Sequence, residues 1–464
     1  MSGVQTILTQ QGPTNVSMPA TEVYTIATEY VEAGRLDAAD RLLGHILGAS
    51  PRQAEALHLR GLIAFRRGRL TEAAELMEQA LRFGAVKSLH LRNISEVYRQ
   101  LARLDEAAQA ARRATAMDPT DALGPFNLAM VEYDRLNMNE SIAAARLSLA
   151  RKADLPEAHM KLGQALLATG DLADGWEHYE WRYKIPGAAP LMPATDRKQW
   201  DGTPLPDDRL LLIGDQGYGD VIMFGRYIAW AQARCAKVTV ACSPEMRSVV
   251  EQLAPGAEIA TRWDDCPPYA AFCPLSGLPR LAGIRIADLP GTVDYLKADP
   301  EKVELWKARL DSALPAGGRR VALAWAGRPT HNNDRNRSIT LSQLAPLAAV
   351  PGVSFVSLQK GPAAAQCANW VGAAPLLNLD NIIESFDDSA AILANVDLLI
   401  SVDTSMVHLA GAVGRPVWAM LPYAPDWRWL LGREDTPWYP SVRLFRQPRP
   451  RDWNGVIAQV AAAL

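Results

Sequence analysis

Cysteine is scarce in this sequence. Five cysteines occur among its 464 residues, at positions 235, 242, 266, 273 and 367, and no two of them form a CxxC pair. An odd number of widely spaced cysteines argues against a disulfide or zinc framework and is typical of reduced thiols. We therefore expect a cytoplasmic protein.

Long apolar runs and a strong net charge are also missing. No run of about 18 apolar residues is present, so no membrane span is expected. The net charge of −3 gives no indication of a nucleic-acid partner. The first 18 residues contain no lysine or arginine and no long apolar core, which predicts a disordered tail over residues 1–19 rather than a secretory signal.

The N-terminal third contains a repeat with a period of 34 residues. Small residues recur at this spacing in two rows: Ala27, Gly61, Ser95, Ala129 and Gly163, and Ala39, Ala73, Ala107, Ser141 and Gly175. An apolar row lies between them: Leu36, Leu70, Leu104, Met138 and Leu172. Two antiparallel helices can pack closely only where their crossing residues are small, so these rows predict five stacked helix pairs.

This pattern resembles the tetratricopeptide repeat over residues 20–184. Gly34, Gly68 and Gly170 mark the turn between the two helices in three of the five units. The resemblance implies an α-solenoid that presents a concave surface to a protein or peptide partner, although self-association or a spacer role stays open. The aromatic-rich end of the array, residues 175–183, is expected to cap the solenoid and dock it on the next domain.

Residues 185–208 hold five prolines and two glycines, and helical periodicity is lost there. We interpret them as a linker that is packed rather than loose, because Trp200 needs a surface to cover it.

From residue 209 onward, apolar β-type runs alternate with helical segments. This alternation predicts two Rossmann-like domains that face a cleft, over residues 209–314 and 315–464. The predicted strands are residues 210–213, 238–241 and 270–273 in the first domain, and 321–325, 353–358, 376–379, 398–402, 417–421 and 442–445 in the second. Helices are predicted at residues 221–234 and 454–464.

A glycine-rich turn, GDQGYGD at residues 214–220, follows the first of these strands. It is not a GxGxxG fingerprint and it lacks a Walker lysine, so neither a dinucleotide site nor a P-loop is indicated. Gly217 and Gly219 allow the backbone to approach another group closely. Asp220 falls at the start of the next helix, where it is either a helix cap or a general base at the floor of the cleft.

A second strand–turn–helix unit begins at residue 398. Three residues that favour helix starts, Asp403, Thr404 and Ser405, stand between the strand and a helix predicted over residues 406–413. In open α/β sheets, the carboxyl end of a strand facing a helix N-terminus is where phosphates bind. The sequence therefore predicts a phosphate site here.

Together these segments resemble the GT-B glycosyltransferases of the heptosyltransferase type, in the variety with an N-terminal tetratricopeptide array. The matching segments are GYGD (217–220), AWAGRP (324–329), SLQKG (357–361), DTSMVHLAGAVG (403–414), PDWRW (425–429) and WYPSVRLFRQ (438–447). The resemblance implies transfer of a sugar from a nucleotide diphosphate, without a metal or other cofactor, and it implies that Asp220 is the base. Bacterial transferases that modify flagellin share this layout, so the acceptor is expected to be a protein.

The mechanism expected from this resemblance is inverting. Asp220 takes the acceptor proton, while the backbone N–H groups of Thr404 and Ser405 stabilise the departing diphosphate. His408 lies one turn along the same helix face, where it either contacts the donor or holds the loop. Asp403 is expected to orient the loop or a donor hydroxyl, because it would repel a diphosphate.

The family places a lysine after the first strand of the second domain, and this chain has none there. The candidate substitutes are Arg328, Arg335 and Arg337; we favour Arg337, and a solvated loop is the alternative for Arg335. Gln359 and Lys360 are further donor-site candidates, for a base or ribose and for a phosphate respectively. The aromatic residues Trp427, Trp429, Trp438 and Tyr439 are expected to close the domain by packing rather than to line a pocket.

Two other functions remain open from the sequence. One is a transferase acting on a lipid-linked or saccharide acceptor, with the array binding a partner. The other is an interaction scaffold whose transferase domain has lost its activity.

Overall fold

The computed structural model describes residues 5–9, 12–16, 18–188, 191, 193–331 and 333–464. The chain divides into two compact units, Met1–Leu162 and Gly163–Leu464. The division falls earlier than the boundary between residues 184 and 185 that the sequence suggested. Most of the fifth helix pair therefore belongs to the second unit.

The first unit begins with an antiparallel pair of strands, β1 (Gln5–Thr9) and β2 (Gly12–Val16), in which Gln5 pairs with Val16 and Thr9 with Gly12. The sequence analysis predicted a disordered tail here, and the described part of that segment is instead a hairpin. Strands joined by so short a connection lose little chain entropy when they pair. Residues 1–4, 10–11 and 17 of the predicted tail lie outside the described residues.

Antiparallel helix pairs follow, which confirms the predicted helical solenoid. Their bounds are α1 Ala20–Glu32, α2 Leu36–Ala49, α3 Ala54–Arg66, α4 Leu70–Phe83, α5 Ser88–Gln100, α6 Leu104–Met117, α7 Leu123–Asp134, α8 Met138–Arg151, α9 Pro156–Ala168 and α10 Leu172–Tyr179. Ten helices in five pairs match the five units of the repeat.

The small residues lie where paired helices cross. A Cβ added to Gly61 would come within 2.8 Å of Met77 Cγ and 3.3 Å of the Ala73 carbonyl oxygen. Where serine replaces glycine or alanine, its hydroxyl donates across the crossing. Ser95 Oγ donates to the Ala107 carbonyl at 2.9 Å, and Ser141 Oγ donates to the Ala129 carbonyl at 2.7 Å. The two rows of small residues thus face each other in the folded repeat.

The turn between paired helices requires a left-handed residue. Gly34, Gly68 and Gly170 have φ values of 72°, 73° and 89°. The other two units keep this geometry without glycine, since Ala102 has a φ of 62° and Leu136 a φ of 63°. Residues with a Cβ are strained in this conformation by roughly 1 kcal/mol or more. Packing of the repeat therefore overrides the local preference at these two positions.

The second unit contains a parallel five-stranded sheet with the strand order β3-β7-β4-β5-β6. Its strands are β3 Lys198–Gln199, β4 Leu205–Ile213, β5 Cys235–Ala241, β6 Glu258–Ala260 and β7 Ala271–Pro274. The strands β4, β5 and β7 confirm predictions, whereas β3 and β6 were missed because they are only two and three residues long. Trp200 is buried against Trp230 at 5.5 Å between ring centroids, as expected for a packed linker.

The helix predicted over residues 221–234 is two helices, α11 (Tyr218–Gly225) and α12 (Ile228–Gln232). The first ends at Gly225, and glycine is a poor helix former. A Cβ at Gly225 would also come within 2.5 Å of Leu253 Cδ1, so the residue allows close packing where the helix stops.

A second parallel sheet has six strands in the order β10-β9-β8-β11-β12-β13. Its strands are β8 Arg319–Ala324, β9 Val353–Ser357, β10 Leu376–Asn378, β11 Leu398–Val402, β12 Val417–Leu421 and β13 Val442–Arg446. The helices of the second unit after α12 are α13 Arg247–Leu253, α14 Leu278–Leu281, α15 Pro300–Ala313, α16 Asp334–Arg337, α17 Phe386–Ala394, α18 Ser405–Ala412 and α19 Trp453–Ala463. All six predicted strands of this half are present, and β11 and β12 have the predicted bounds.

In the described part of the chain, no helix has both the length and the apolar character needed to cross a membrane.

The left-handed turns generate a test in which one substitution acts in opposite directions. Ala102→Gly should raise the free energy of unfolding of the solenoid by about 1 kcal/mol, and with it the thermal midpoint, because glycine relieves the strained φ. Ala143→Gly, at an exposed position inside α8, should lower the free energy of unfolding by about 1 kcal/mol. Thermal melts of both variants measure this difference, and a loss of stability in Ala102→Gly would contradict the role of the turn.

Candidate functional site

Two helix N-termini meet in the second unit, and each helix follows a strand of a different sheet. The turn of residues 214–220 leads from β4 into α11, and residues 403–404 lead from β11 into α18. A Cβ at Gly219 would come within 2.7 Å of His408 Cδ2, so α11 and α18 touch at their first turns. The structure thus brings the Gly217–Gly219–Asp220 group next to the Thr404–His408 group.

Asp220 is the third residue of α11, and Gly217 occupies the N-cap position. The Gly217 N–H donates to Asp220 Oδ2 at 3.1 Å, while Asp220 Oδ1 forms an ion pair with Arg428 Nη2. The Asp220 side chain is 19% exposed. Burial raises the pKa of Asp220, and the Arg428 guanidinium opposes this shift. The carboxylate therefore supports the helix start with one oxygen and binds a cation with the other.

Arg428 is the site residue that the sequence analysis missed. It is buried, its Nη1 donates to Asp426 Oδ1 at 2.7 Å, and its guanidinium lies 4.4 Å from the centroid of the Trp427 ring. Burial lowers the pKa of Arg428, but the Asp220 and Asp426 carboxylates more than offset this and hold it well above its ordinary value. In the sequence, the one feature that could have indicated this role is that Arg428 stands between the two tryptophans of PDWRW. The sequence analysis expected those tryptophans to pack and gave the arginine no role.

Asp403 follows the end of β11. Burial, and then the nearby Asp426 carboxylate, raise the pKa of Asp403 to about 6, while the positive charges of Arg337 and Arg428 oppose the shift. Two arginines therefore act on the loop in front of α18.

Of the three arginines proposed to replace the family lysine, Arg337 carries a positive charge that acts to lower the pKa of both Asp403 and His408. Its Nε makes no hydrogen bond among the described residues, but it lies 3.6 Å from Asp334 Oδ1, with which it forms an ion pair. Arg335 is exposed, and the Arg328 guanidinium lies 5.3 Å from the centroid of the Tyr218 ring. The choice of Arg337 as the substitute stays a prediction.

Thr404 caps α18, because its Oγ1 accepts a hydrogen bond from the Met406 N–H at 3.4 Å. Ser405 is the first residue of the helix. The first N–H groups of a helix have no intrahelical acceptor, and none of the described hydrogen bonds uses those of Thr404 and Ser405. These two N–H groups can therefore bind an anion.

His408 is buried between aromatic rings. Its ring stacks on Trp429 with centroids 5.4 Å apart, and its Nδ1 lies 3.1 Å from the Tyr439 hydroxyl. Burial, followed by the charges of Arg428, Arg226 and Arg337, lowers the pKa of His408 well below its ordinary value. A neutral histidine packed against Gly219 holds α11 and α18 together, which corresponds to the loop-holding alternative.

Gln359 does not fit its predicted role. Its Oε1 accepts hydrogen bonds from the N–H groups of Trp325 and Ala326, both at 2.9 Å. Its Nε2 donates to the carbonyls of Ala326 and Lys360 at 3.0 and 3.1 Å. All four hydrogen-bonding positions of the amide are used, so Gln359 joins the loops after β8 and β9 and cannot read a base or ribose.

Lys360 is also occupied elsewhere. Its Nζ donates to the carbonyls of Asp380 and Ile383, the latter at 3.1 Å, and lies 3.3 Å from Asp380 Oδ1. The ammonium group therefore fixes the loop after β10, and the predicted phosphate contact is not supported by its position.

The four aromatic residues Trp427, Trp429, Trp438 and Tyr439 are buried, in agreement with packing rather than an open pocket. A separate cavity of about 730 Å³ lies between α13, α15 and residues 381–388, and its lining includes Glu245, Arg247, Lys302, Arg309, Asn381 and Ser385. None of the predicted site residues lines it. No group of three or more His, Cys, Asp or Glu side chains in the described ranges is arranged to hold a metal ion.

Comparison with known proteins identifies part of this architecture. The tetratricopeptide repeat family matches residues 24–88 and 93–121. The chain contains tetratricopeptide repeats. It is also 29% identical to protein FlbA of Caulobacter vibrioides over 473 residues, which cover 93% of this chain and 70% of FlbA.

Solved structures that are similar to the chain cover about a third of it. The crystal structure of MamA shares 18% identity over 34% of this chain and 91% of MamA, with a TM-score of 0.31. The tetratricopeptide protein YrrB, whose structure is described as having an unusual peptide-binding site, shares 16% identity over 37% of this chain and 88% of YrrB, with a TM-score of 0.32.

The raised pKa of Asp403 predicts a pH-dependent stability. Because the folded pKa is above that of the unfolded chain, Asp403 favours folding below about pH 4, and this contribution is lost as the pH rises through about 6. Asp403→Asn should therefore stabilise the protein more at about pH 7.5 than at about pH 5. Thermal melts at the two pH values measure this. The control is Asp196→Asn, whose side chain is 90% exposed. An equal effect of Asp403→Asn at both pH values would contradict the assignment.

Proposed function

We propose that the second unit is a GT-B glycosyltransferase that moves a sugar from a nucleotide diphosphate to a protein acceptor, such as flagellin, selected by the repeats. The observation that carries this proposal is the contact of α11 with α18, where Gly219 meets His408. This contact supports the proposal because Asp220, the residue after Gly219, would then lie near the start of α18, and helix N-termini favour anions such as a diphosphate. A GT-B fold requires two parallel sheets, and in this chain each sheet has a strand that leads into one of these two helices.

The donor diphosphate would bind at the start of α18. The N–H groups of Thr404 and Ser405 and the helix dipole favour an anion there, and Arg337 and Arg428 supply positive charge. Guanidinium groups bind phosphate oxygens in pairs, so these arginines replace the metal that other transferases use. Charge on the departing diphosphate is then stabilised as the bond to the sugar breaks.

Asp220 would act as the general base. In the free protein its charge is balanced by Arg428. A bound diphosphate competes for that guanidinium, and a buried carboxylate that loses its cation binds a proton more tightly. Asp220 then takes the acceptor hydroxyl proton as the acceptor oxygen forms its bond to the anomeric carbon. The electron pair of the breaking bond leaves with the diphosphate, and the configuration at the sugar is inverted.

The repeats supply a surface for the acceptor. Leu89 on α5 and Leu123 on α7 occupy the same position of successive repeats and are 48% and 37% exposed. Cations on α5 and at its N-cap are already paired: Lys87 with Glu55, Arg92 with Asp121, and Arg99 with Asp134. An acidic tail would find its cations occupied, so the surface favours a segment that contributes apolar side chains.

Donor binding and turnover can be separated by one variant. ADP, GDP and UDP are screened by thermal shift, and at least one should raise the midpoint of the wild type, because a ligand of the native state stabilises it. Asp220→Asn should keep this shift but lose turnover of the matching sugar nucleotide by about a hundredfold or more.

Asp196→Asn serves as the control and should change neither quantity. Absence of a shift with every nucleotide would contradict the donor site. A shift with unaltered turnover in Asp220→Asn would remove the base from the mechanism, and a shift without turnover in the wild type would favour an interaction scaffold.

The acceptor surface is tested with a matched pair of leucines. Leu123→Glu should reduce the retention of the source organism's flagellin on the immobilised full-length protein by about tenfold, since it places a charge within an apolar contact. Leu147→Glu on α8, where the leucine is 41% exposed, should have little effect. Equal retention in both variants would contradict an acceptor site at Leu123, and no retention by the wild type would exclude flagellin.

A further inference from the structure

The last helix of the repeat array packs against the segment that carries Arg428. Trp176 and Tyr179 of α10 are both buried. The Trp176 ring meets the Trp427 ring edge-on with centroids 5.1 Å apart, and the Tyr179 ring meets it at 5.7 Å. Trp427 in turn lies under the Arg428 guanidinium, so α10 supports one side of the Asp220–Arg428 pair.

The same helix also holds the turn that leads to Asp220. The Tyr179 hydroxyl donates to Gln216 Oε1 at 3.1 Å. Gln216 has a φ of 66°, which is an uncommon conformation for a residue with a Cβ. A hydrogen bond from a buried tyrosine therefore stabilises the strained residue four positions before the candidate base.

The segment Glu180–Lys184, which follows α10, adds a buried polar network to this turn. Asp215 accepts hydrogen bonds from the Tyr183 hydroxyl at 2.7 Å and from the Ser276 N–H at 3.1 Å. Arg182 is buried, its Nη1 donates to the Tyr179 carbonyl at 2.7 Å, and its Nη2 donates to Ser276 Oγ. Arg182 Nε makes no hydrogen bond among the described residues, so the restraint on the turn comes from the bonds of Tyr183, Ser276 and the Arg182 Nη atoms.

We infer that α10 and the segment after it position the Asp220–Arg428 pair, with Tyr179 as the central positioning residue. This inference rests on the proposed function for its catalytic consequence, but its structural part can be tested separately. Tyr179 bonds to Gln216, and Tyr183 of the following segment bonds to Asp215, both in the turn that leads to Asp220. Trp176 and Tyr179 pack on Trp427, the residue before Arg428. The last helix of the array therefore belongs to the transferase site. A deletion of residues 1–184 would remove this packing from the site together with the array.

The test uses Tyr179→Phe in the full-length protein, which removes one hydroxyl and keeps the ring on Trp427. Hydrogen exchange of the peptide covering residues 214–220 should be about tenfold faster than in the wild type, because the turn opens more often. Turnover of the sugar nucleotide should fall about tenfold with little change in its KM, because the donor contacts at α18 remain.

Tyr269→Phe is the matched control, since the Tyr269 hydroxyl donates to Thr195 Oγ1 at 3.2 Å and, within the described part of the chain, makes no hydrogen bond to the turn of residues 214–220. It should leave both readouts unchanged. Wild-type exchange rates at residues 214–220 in Tyr179→Phe would overturn the inference. If the wild type turns over no sugar nucleotide, the proposed function fails, and the exchange measurement still decides whether Tyr179 positions the turn.

Discussion

The ion pair of Asp220 with Arg428 joins the two halves of the second unit at the place where their helices meet. Removing two charges from water is unfavourable unless both are well bonded. Here Asp220 also accepts from the Gly217 N–H, and Arg428 also donates to Asp426. Each charged group thus has one partner nearby in the chain and one in the other half of the unit. If the turn of residues 217–220 and the segment of residues 426–428 moved apart, a buried charge would be left unpaired. The geometry around α18 depends on this mutual requirement.

Aromatic packing sets the environment of that pair. Trp427 contacts both the guanidinium and the rings of α10, and Trp429 and Tyr439 pack on His408. These rings exclude water, which strengthens the electrostatic interactions inside and keeps His408 neutral. The burial of the Asp220–Arg428 pair and the neutral state of His408 therefore both result from the packing of a few aromatic side chains around the N-termini of α11 and α18.

The repeat array follows a different logic, in which each pair of helices depends mainly on its neighbours. Small residues at the crossings and the left-handed turn recur with the period of the sequence. Ala102 and Leu136 keep that turn although they lack the freedom of glycine. Neighbouring repeats impose their geometry on the units whose own residues disfavour it.

Strands and helices with strong local signals could be predicted from the sequence. Residues 398–402 (LLISV) and 417–421 (VWAML) are mostly apolar runs bounded by aspartates and by prolines respectively, and both are strands with those bounds. Short edge strands such as Lys198–Gln199 carry no such signal, because their pairing partner alone makes them strands. The contacts of Gln359 and Lys360 could not be predicted, because the sequence places these residues at a strand end but does not show which carbonyls and N–H groups they meet.

The sequence by itself determined the helical repeat, the order of the strands along the chain and the helix start at residues 403–405, because each depends on residues close together in the chain. Only the tertiary structure decided that Arg428 faces Asp220, 208 positions away. It alone also decided that Tyr179 and Trp176 of the last repeat helix contact Gln216 and Trp427, which lie near these two residues in the chain. Contacts between distant segments arise from the packing of complete sheets and helices, and a single arginine among tryptophans has no periodicity from which its partner could be predicted.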